Sequence, residues 1–248
     1  MAVTRREISG MYKPYLVQAI ALEQAVQDLL DRWEQVNNGI ILTHSSSSGI
    51  KNIQEMTNEL LEAVTLFLIQ YGELMDSGIG KIADVKAQQV LNESLPLLRA
   101  VGDSEGAAYF RRDMETFSNH MIGTWALIGI GLYAVTFRQR QAAIELSTKK
   151  TVNNIITLAT KEKLGGQDIQ KILKDYINPN TTPGKPWDIA RKALGASKKY
   201  VPKDVLSGSV QTNLYETTRN QASDIWRDMT EQAYEGAEWV NGYDWVLS

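Results

Sequence analysis

Apolar side chains recur three or four residues apart along almost the whole chain, which is the spacing of amphipathic helices. The first stripe begins at Leu16 and is predicted to end at residues 37–39, Asn-Asn-Gly. A polar loop is predicted over 43–49, which contains four serines and His44, before a second helix over 53–74. Residues 76–80 are predicted to break that helix. The pattern as a whole predicts a mainly α-helical protein.

The later helices carry their own start and stop signals. A third helix is predicted over 81–98, and Gly-Asp-Ser at 102–104 predicts a turn and cap before a fourth. In the second half of the chain, apolar positions over 144–159 and 169–176 predict a long and a short helix. Asp204 is predicted to cap a long C-terminal helix whose apolar positions run over 206–233. These helices carry most of the chain.

One segment is apolar on every side. Residues 121–137 contain 17 consecutive residues without a charge, close to the lower limit of about 17 for a membrane-spanning helix. A helix buried on all sides by a bundle shows the same pattern, and this is the favoured interpretation. Both interpretations, the buried core helix and the membrane helix, are compatible with Trp125, Gly129 and Gly131. Glycine allows helices to approach closely, and tryptophan suits either a membrane interface or a protein core. Both interpretations stay open.

Two segments interrupt the helical pattern. Residues 178–186 hold three prolines and one glycine, and predict a loop or linker. Residues 237–248 place aromatic and β-branched side chains around an Asn-Gly turn, and predict a hairpin. The expected architecture is an extended helical bundle with a small C-terminal β hairpin. It divides into an N-terminal helical region, 1–148, with the apolar central helix, and a helical domain, 149–248, that ends in the hairpin.

The composition narrows the class of protein. There is no cysteine, which excludes a disulfide scaffold, a cysteine-bearing zinc site and a thiolate nucleophile. No cleavable-looking leader is seen, so a reducing compartment is expected. A net charge of −3 does not favour binding to nucleic acid. The charges are unevenly distributed along the chain, however, and residues 149–203 hold 12 basic and 4 acidic side chains.

This basic block is the candidate interaction surface. Such a density of lysine attracts a phosphate backbone without reading base sequence, and the alternative is an ordinary solvated face. Salt-sensitive, nonspecific contact with double-stranded DNA is the most that it predicts. The candidate phosphate contacts are Lys185, Arg191, Lys192, Lys198, Lys199 and Lys203.

No catalytic constellation is found. His44 and His120 have no ligand-type neighbours at metal spacing, and both are interpreted as structural. The glycine-rich stretch 78–83 follows a helix and not a strand, so it is not a dinucleotide site. Asp224 and Asp228 are expected to form solvated ion pairs with nearby arginines. The sequence therefore predicts no enzyme, no cofactor and no metal.

Two segments of the C-terminal half carry a family resemblance. Residues 158–173, LATKEKLGGQDIQKIL, precede the proline-rich linker, and residues 213–223 read NLYETTRNQAS. On these segments the chain from about 149 to 248 resembles the Mu-F-like head morphogenesis, or minor head, proteins of tailed bacteriophages. Leu214 and Tyr215 stand where that family usually has Arg and Thr. The residues assigned to the family's characteristic helix are Glu216, Thr217, Arg219 and Asn220.

The resemblance implies a non-enzymatic virion component that associates with the portal protein and the capsid interior, as an oligomer around the portal. It implies assembly in the host bacterial cytoplasm and contact with packaged DNA. Glu216 and Arg219, three residues apart on one helix face, suit helix stabilisation or partner contact. The alternative is an internal ejection protein whose apolar helix, 121–137, enters the host envelope during DNA delivery.

Overall fold

The protein is described by a computed structural model over residues 5–46, 49–100, 102, 104–124, 137–178 and 209–234. The predicted mainly α fold is confirmed over these residues, and the predicted hairpin at 237–248 lies outside them. The described helices are α1 (Arg5–His44), α2 (Ile53–Ala100), α3 (Ser104–Thr124), α4 (Phe137–Lys161), α5 (Gly166–Ile177) and α6 (Val210–Tyr234). Two short strands, β1 (Ser45–Ser46) and β2 (Gly49–Ile50), join α1 to α2.

Helix α1 is longer than predicted. The expected end at 37–39 is wrong, because Ile41 continues the buried stripe and is fully enclosed. At Gly39, the position of a Cβ has no neighbouring atom within 4 Å, so this glycine serves no close approach. His44 is therefore the last residue of a helix and is buried, where the sequence predicted a loop. The serines that follow begin an antiparallel pairing in which Ser45 lies opposite Ile50.

The predicted break at 76–80 is also wrong, since α2 runs through it without interruption. Met75, Ile79 and Ile82 are all fully buried at helical spacing. Two glycines in a helix interior cost about 1 kcal/mol each relative to alanine, and burial of large apolar side chains at about 1.5–3 kcal/mol each outweighs this. What looked like two helices separated by a turn is one helix.

Other predicted boundaries are confirmed. Gly102 has a φ of 79°, the left-handed conformation that glycine adopts most readily, and α3 begins two residues later. Helix α4 buries the predicted apolar stripe within 144–159, and α5 buries Ile169, Leu173 and Tyr176. The predicted turn between these two helices is where α4 ends and α5 begins. The spacing of apolar residues therefore located these helices correctly, because the structure has turns where the sequence predicts them.

The chain forms two compact units, and each is described separately. The first comprises Met1–Ala21, Asp76–Ile128 and Arg219–Ser248, and the second comprises Leu22–Met75 and Gly129–Thr218. The division at residue 148 expected from sequence stays a prediction.

The second unit is built around aromatic contacts between its helices. Trp33 of α1 stacks on Phe67 of α2, with ring centroids 4.4 Å apart and planes at 15°. Tyr71 of α2 meets Phe137 of α4 at 5.8 Å, and both are fully buried. A close approach fixes α5, because a Cβ added to Gly166 would lie 2.8 Å from the Ser45 Cβ. Only a residue without a side chain fits there.

Polar contacts align α5 along α1 in the second unit. Lys174 Nζ lies 2.8 Å from Glu34 Oε1, and Gln170 donates to the Asn38 carbonyl oxygen at 3.2 Å. Beyond the end of α5, Asn178 Nδ2 donates to an Asp31 carboxylate oxygen at 3.2 Å. These contacts repeat about once per helical turn, so they set the register between the two helices.

The first unit encloses a lysine among apolar side chains. Lys86 of α2 is only 4% exposed, and its Nζ lies 4.6 Å from the ring centroid of Trp226. Tyr15 of α1 packs against the same indole, with ring centroids 5.2 Å apart. Burial lowers the pKa of Lys86, and the negative charge of Glu93 opposes this shift. The indole face provides a compensating cation–π contact.

Candidate functional site

Helix α6 carries the four family-motif residues, and its N-terminal part is fixed in the second unit by polar contacts to α1. Gln211 Nε2 and the Tyr215 hydroxyl both donate to Gln27 Oε1, each at 2.7 Å. Ser209 precedes the helix, and its Oγ accepts a hydrogen bond from the Thr212 backbone N–H at 3.1 Å, as an N-cap does. The start of α6 is therefore determined both locally and by a partner helix.

A buried hydroxyl pair fixes the next turn of α6. The Tyr71 hydroxyl lies 3.1 Å from Thr218 Oγ1 and 3.3 Å from the Leu214 carbonyl oxygen. Thr218 Oγ1 also lies 3.5 Å from Met75 Sδ. Burial raises the pKa of Tyr71, and the hydrogen bond with Thr218 lowers it in part. Tyr71 therefore stays a neutral phenol that links α2 to α6.

Glu216 and Asn220 lie on the side of α6 away from these contacts, whereas Arg219 follows Tyr215 by four residues and lies nearer to them. Glu216, Arg219 and Asn220 are exposed, whereas Thr217 is buried and donates to the Asn213 carbonyl oxygen at 2.8 Å. The prediction that these residues lie on a helix is confirmed, and the role assigned to them stays a prediction. Glu216 presents an exposed carboxylate on the part of α6 that these contacts fix.

The acidic residues near the end of α6 form a structural network in the first unit. Arg227 lies 3.1 Å from an Asp224 carboxylate oxygen, 3.4 Å from Asp228 and 3.8 Å from Glu231. Burial raises the pKa of Asp228, and the positive charge of Arg227 opposes it. The predicted pairing of the aspartates with an arginine is found, but the Asp228 side chain is only 15% exposed, so this pair is not the solvated one that was predicted.

His44 is paired with two carboxylates of α2. Its Nε2 is hydrogen bonded to Glu59 Oε1 at 3.1 Å, and Glu55 lies 4.0 Å from Nδ1. Within the described ranges, no three histidine, aspartate or glutamate side chains come together as metal ligands would.

Several predicted residues lie outside the described part of the chain. These include the apolar-segment residues Trp125, Gly129 and Gly131, and the side chain of His120. Phe137, at the end of that segment, is fully buried. Among the described helices, none is long and apolar enough to cross a membrane. The candidate phosphate contacts also lie outside the described residues, namely Lys185, Arg191, Lys192, Lys198, Lys199 and Lys203.

Sequence reasoning missed Gln27 and Tyr71, the two residues that fix α6. Tyr71 falls in the apolar stripe of the helix predicted over 53–74, and only its hydroxyl distinguishes it from the other residues of that stripe. A buried tyrosine hydroxyl usually finds a hydrogen-bond partner, so a tyrosine in such a stripe is a signal that a polar partner exists. The partner itself, 147 residues away, has no local signature.

The structure defines the chain as a mainly helical protein with an exposed polar face on an anchored helix. Comparison with models of known protein families, with curated proteins and with solved structures finds no match.

Proposed function

We propose that this chain is a non-enzymatic structural protein of a tailed-phage virion, a minor head protein that associates with the portal during head assembly. Its architecture in this proposal is an extended helical bundle ending in a small β hairpin. The sequence resemblance over 149–248 supplies the family. The observation that supports an interaction role is that Glu216 is exposed on the part of α6 that Tyr71 and Gln27 fix, and Arg219 and Asn220 are exposed on the same helix.

The physical argument rests on rigidity. A partner surface built on a fixed helix loses little conformational freedom when it binds, so more of its interaction energy remains as affinity. The hydroxyl pair of Tyr71 and Thr218 and the double acceptor Gln27 Oε1 supply that fixation. In the proposed assembly, several copies present this face to the portal and the capsid interior.

Binding of the full chain to purified portal protein from the same genome tests the proposal. We expect the double variant Glu216→Gln, Arg219→Gln to bind at least about tenfold more weakly, which corresponds to about 1.4 kcal/mol. Arg111→Gln, Glu115→Gln is the matched control, because it neutralises an exposed pair four residues apart on α3. Equal binding by the motif variant and by wild type would contradict the role assigned to this face.

The proposal includes nonspecific contact between the basic block and packaged double-stranded DNA. Replacing Lys198, Lys199 and Lys203 by glutamine is expected to weaken DNA binding and to reduce the slope of log affinity against log salt by about 2.7, or about 0.9 per phosphate contact. The control replaces three exposed lysines outside the block: Lys13, Lys51 and Lys81. An unchanged slope would show that the basic block is a solvated face.

The second candidate keeps the protein in the virion but assigns it to DNA delivery. The uncharged run over 121–137 favours it, because this length is close to what a bilayer requires. Flotation of the full chain with liposomes at physiological salt separates the two roles. Binding to liposomes without binding to the portal would favour an ejection protein, and the reverse would favour the minor head protein.

A further inference from the structure

A groove between α1 and α2 of the second unit is not used by the proposed function. It encloses about 300 Å³ and is partly open to solvent. The stacked rings of Trp33 and Phe67 are buried beneath it. Val36 on one side and Leu66 on the other are 53% and 54% exposed. The groove thus combines an aromatic floor with apolar edges that solvent reaches.

The helical segments on both sides are negatively charged. Residues 33–43 of α1 and 53–75 of α2 contain five glutamates and no lysine or arginine. Two of these glutamates, Glu59 and Glu62, line the groove. Glu59 is hydrogen bonded to His44, whereas Glu62 is exposed and has no ion-pair partner within the described residues. Charge complementarity therefore calls for an occupant that carries lysine or arginine beside its apolar side chains.

The shape of the groove selects the kind of occupant. Its α2 wall runs from Glu59 to Gln70, about 16 Å at 1.5 Å per residue, and Trp33, Val36 and Ile40 form the α1 wall. The α1 wall is shorter, about 10 Å, so the two walls together match two to three turns of the apolar stripe of a helix, whose side chains repeat at three- and four-residue intervals. We propose that this groove binds a cationic amphipathic helix of a partner protein. The proposal does not rest on the virion assignment.

The test measures binding of the full chain to a fluorescently labelled helical peptide of leucine and lysine, about 14 residues long, by fluorescence anisotropy. A peptide with the same leucine positions and glutamate in place of lysine is the charge control. We expect the lysine peptide to bind and the glutamate peptide not to bind. Adding salt should weaken the binding, because Glu62 is exposed and its attraction is screened.

Variants in the groove then locate the site. Leu66→Gln should weaken binding about tenfold, because a leucine side chain no longer becomes buried on binding. Glu62→Lys should weaken binding at low salt, with a smaller difference at high salt. Leu146→Gln on α4, where the leucine is 73% exposed, and Glu115→Lys on α3 are the matched controls and should leave binding unchanged.

Three outcomes would overturn the proposal. Equal binding of both peptides would show that charge does not select the occupant. Unchanged binding by Leu66→Gln would place the peptide elsewhere. A dimer in sedimentation experiments that Leu66→Gln converts to a monomer would show that a second copy of this chain occupies the groove.

Discussion

Removing the Tyr71 hydroxyl tests whether a buried polar contact anchors α6. In Tyr71→Phe the aromatic packing against Phe137 is retained, and only the hydrogen bonds to Thr218 and the Leu214 carbonyl oxygen are lost. A buried hydrogen bond contributes about 0.5–1.5 kcal/mol net. Thr218 keeps its contact with Met75 Sδ, so it is not left entirely without a partner. We therefore expect the free energy of unfolding to fall by about 1 kcal/mol, or about 2–4 °C in Tm.

A double-mutant cycle isolates the hydroxyl pair. Urea unfolding of Tyr71→Phe, Thr218→Val and the double variant should give a coupling free energy of about 1 kcal/mol. Thr217→Val is the matched control, because its hydroxyl bonds to the Asn213 carbonyl oxygen of its own helix. Its effect should add to that of Tyr71→Phe without coupling. Coupling below about 0.3 kcal/mol in the first cycle would refute the anchoring argument.

The ionisation of Tyr71 gives a second measurement with a defined sign. Burial raises its pKa in the folded state, so the unfolded chain loses the phenolic proton first as the pH rises past about 10. The stability contributed by this group is complete below that pH and is lost above it. Wild type should therefore lose more stability than Tyr71→Phe between about pH 10 and 11, measured as the midpoint of urea unfolding.

Two further predictions concern single positions. Gly39→Ala should raise the free energy of unfolding by about 0.5–1 kcal/mol, because this glycine lies within a helix and has open space around it. Gly166→Ala should lower the free energy of unfolding, because the added Cβ would clash with Ser45. Urea unfolding that shows a change of the same sign for both variants would contradict this. Lys86→Met should remove a rise in the free energy of unfolding with pH. Burial lowers the pKa of Lys86 in the folded state, so the folded wild-type protein loses this proton before the unfolded chain does, and its stability should rise as the pH approaches 10.5. The same pH profile in the variant and in wild type would show that Lys86 is not responsible.

Helix ends were predictable from sequence where the chain actually turns. The sequence also predicted an end where the helix in fact continues. The stripe within 144–159 and the short helix over 169–176 were located with their buried faces, because a turn that contains Gly165 does separate these two helices. In α2 the same kind of local signal, at 76–80, was misleading. Burial of Ile79 and Ile82 depends on neighbouring helices that are distant in sequence, and a local pattern does not contain them.

The exposed motif residues could be placed on a helix from sequence, but the groove and the anchoring contacts could not. Trp33 and Phe67 each look like ordinary members of an apolar stripe, and only their stacking creates an aromatic floor. Likewise, Gln27 looks like a surface glutamine until two donors from α6 meet its side-chain oxygen. Contacts between distant segments create both features, which is why periodicity alone did not indicate them.

The most direct test of the account is the association of the full chain with purified portal protein from the same genome, measured by sedimentation velocity. The account predicts a stable complex that contains several copies of this chain and that Glu216→Gln, Arg219→Gln weakens. A chain that stays apart from the portal and instead floats with liposomes would contradict it.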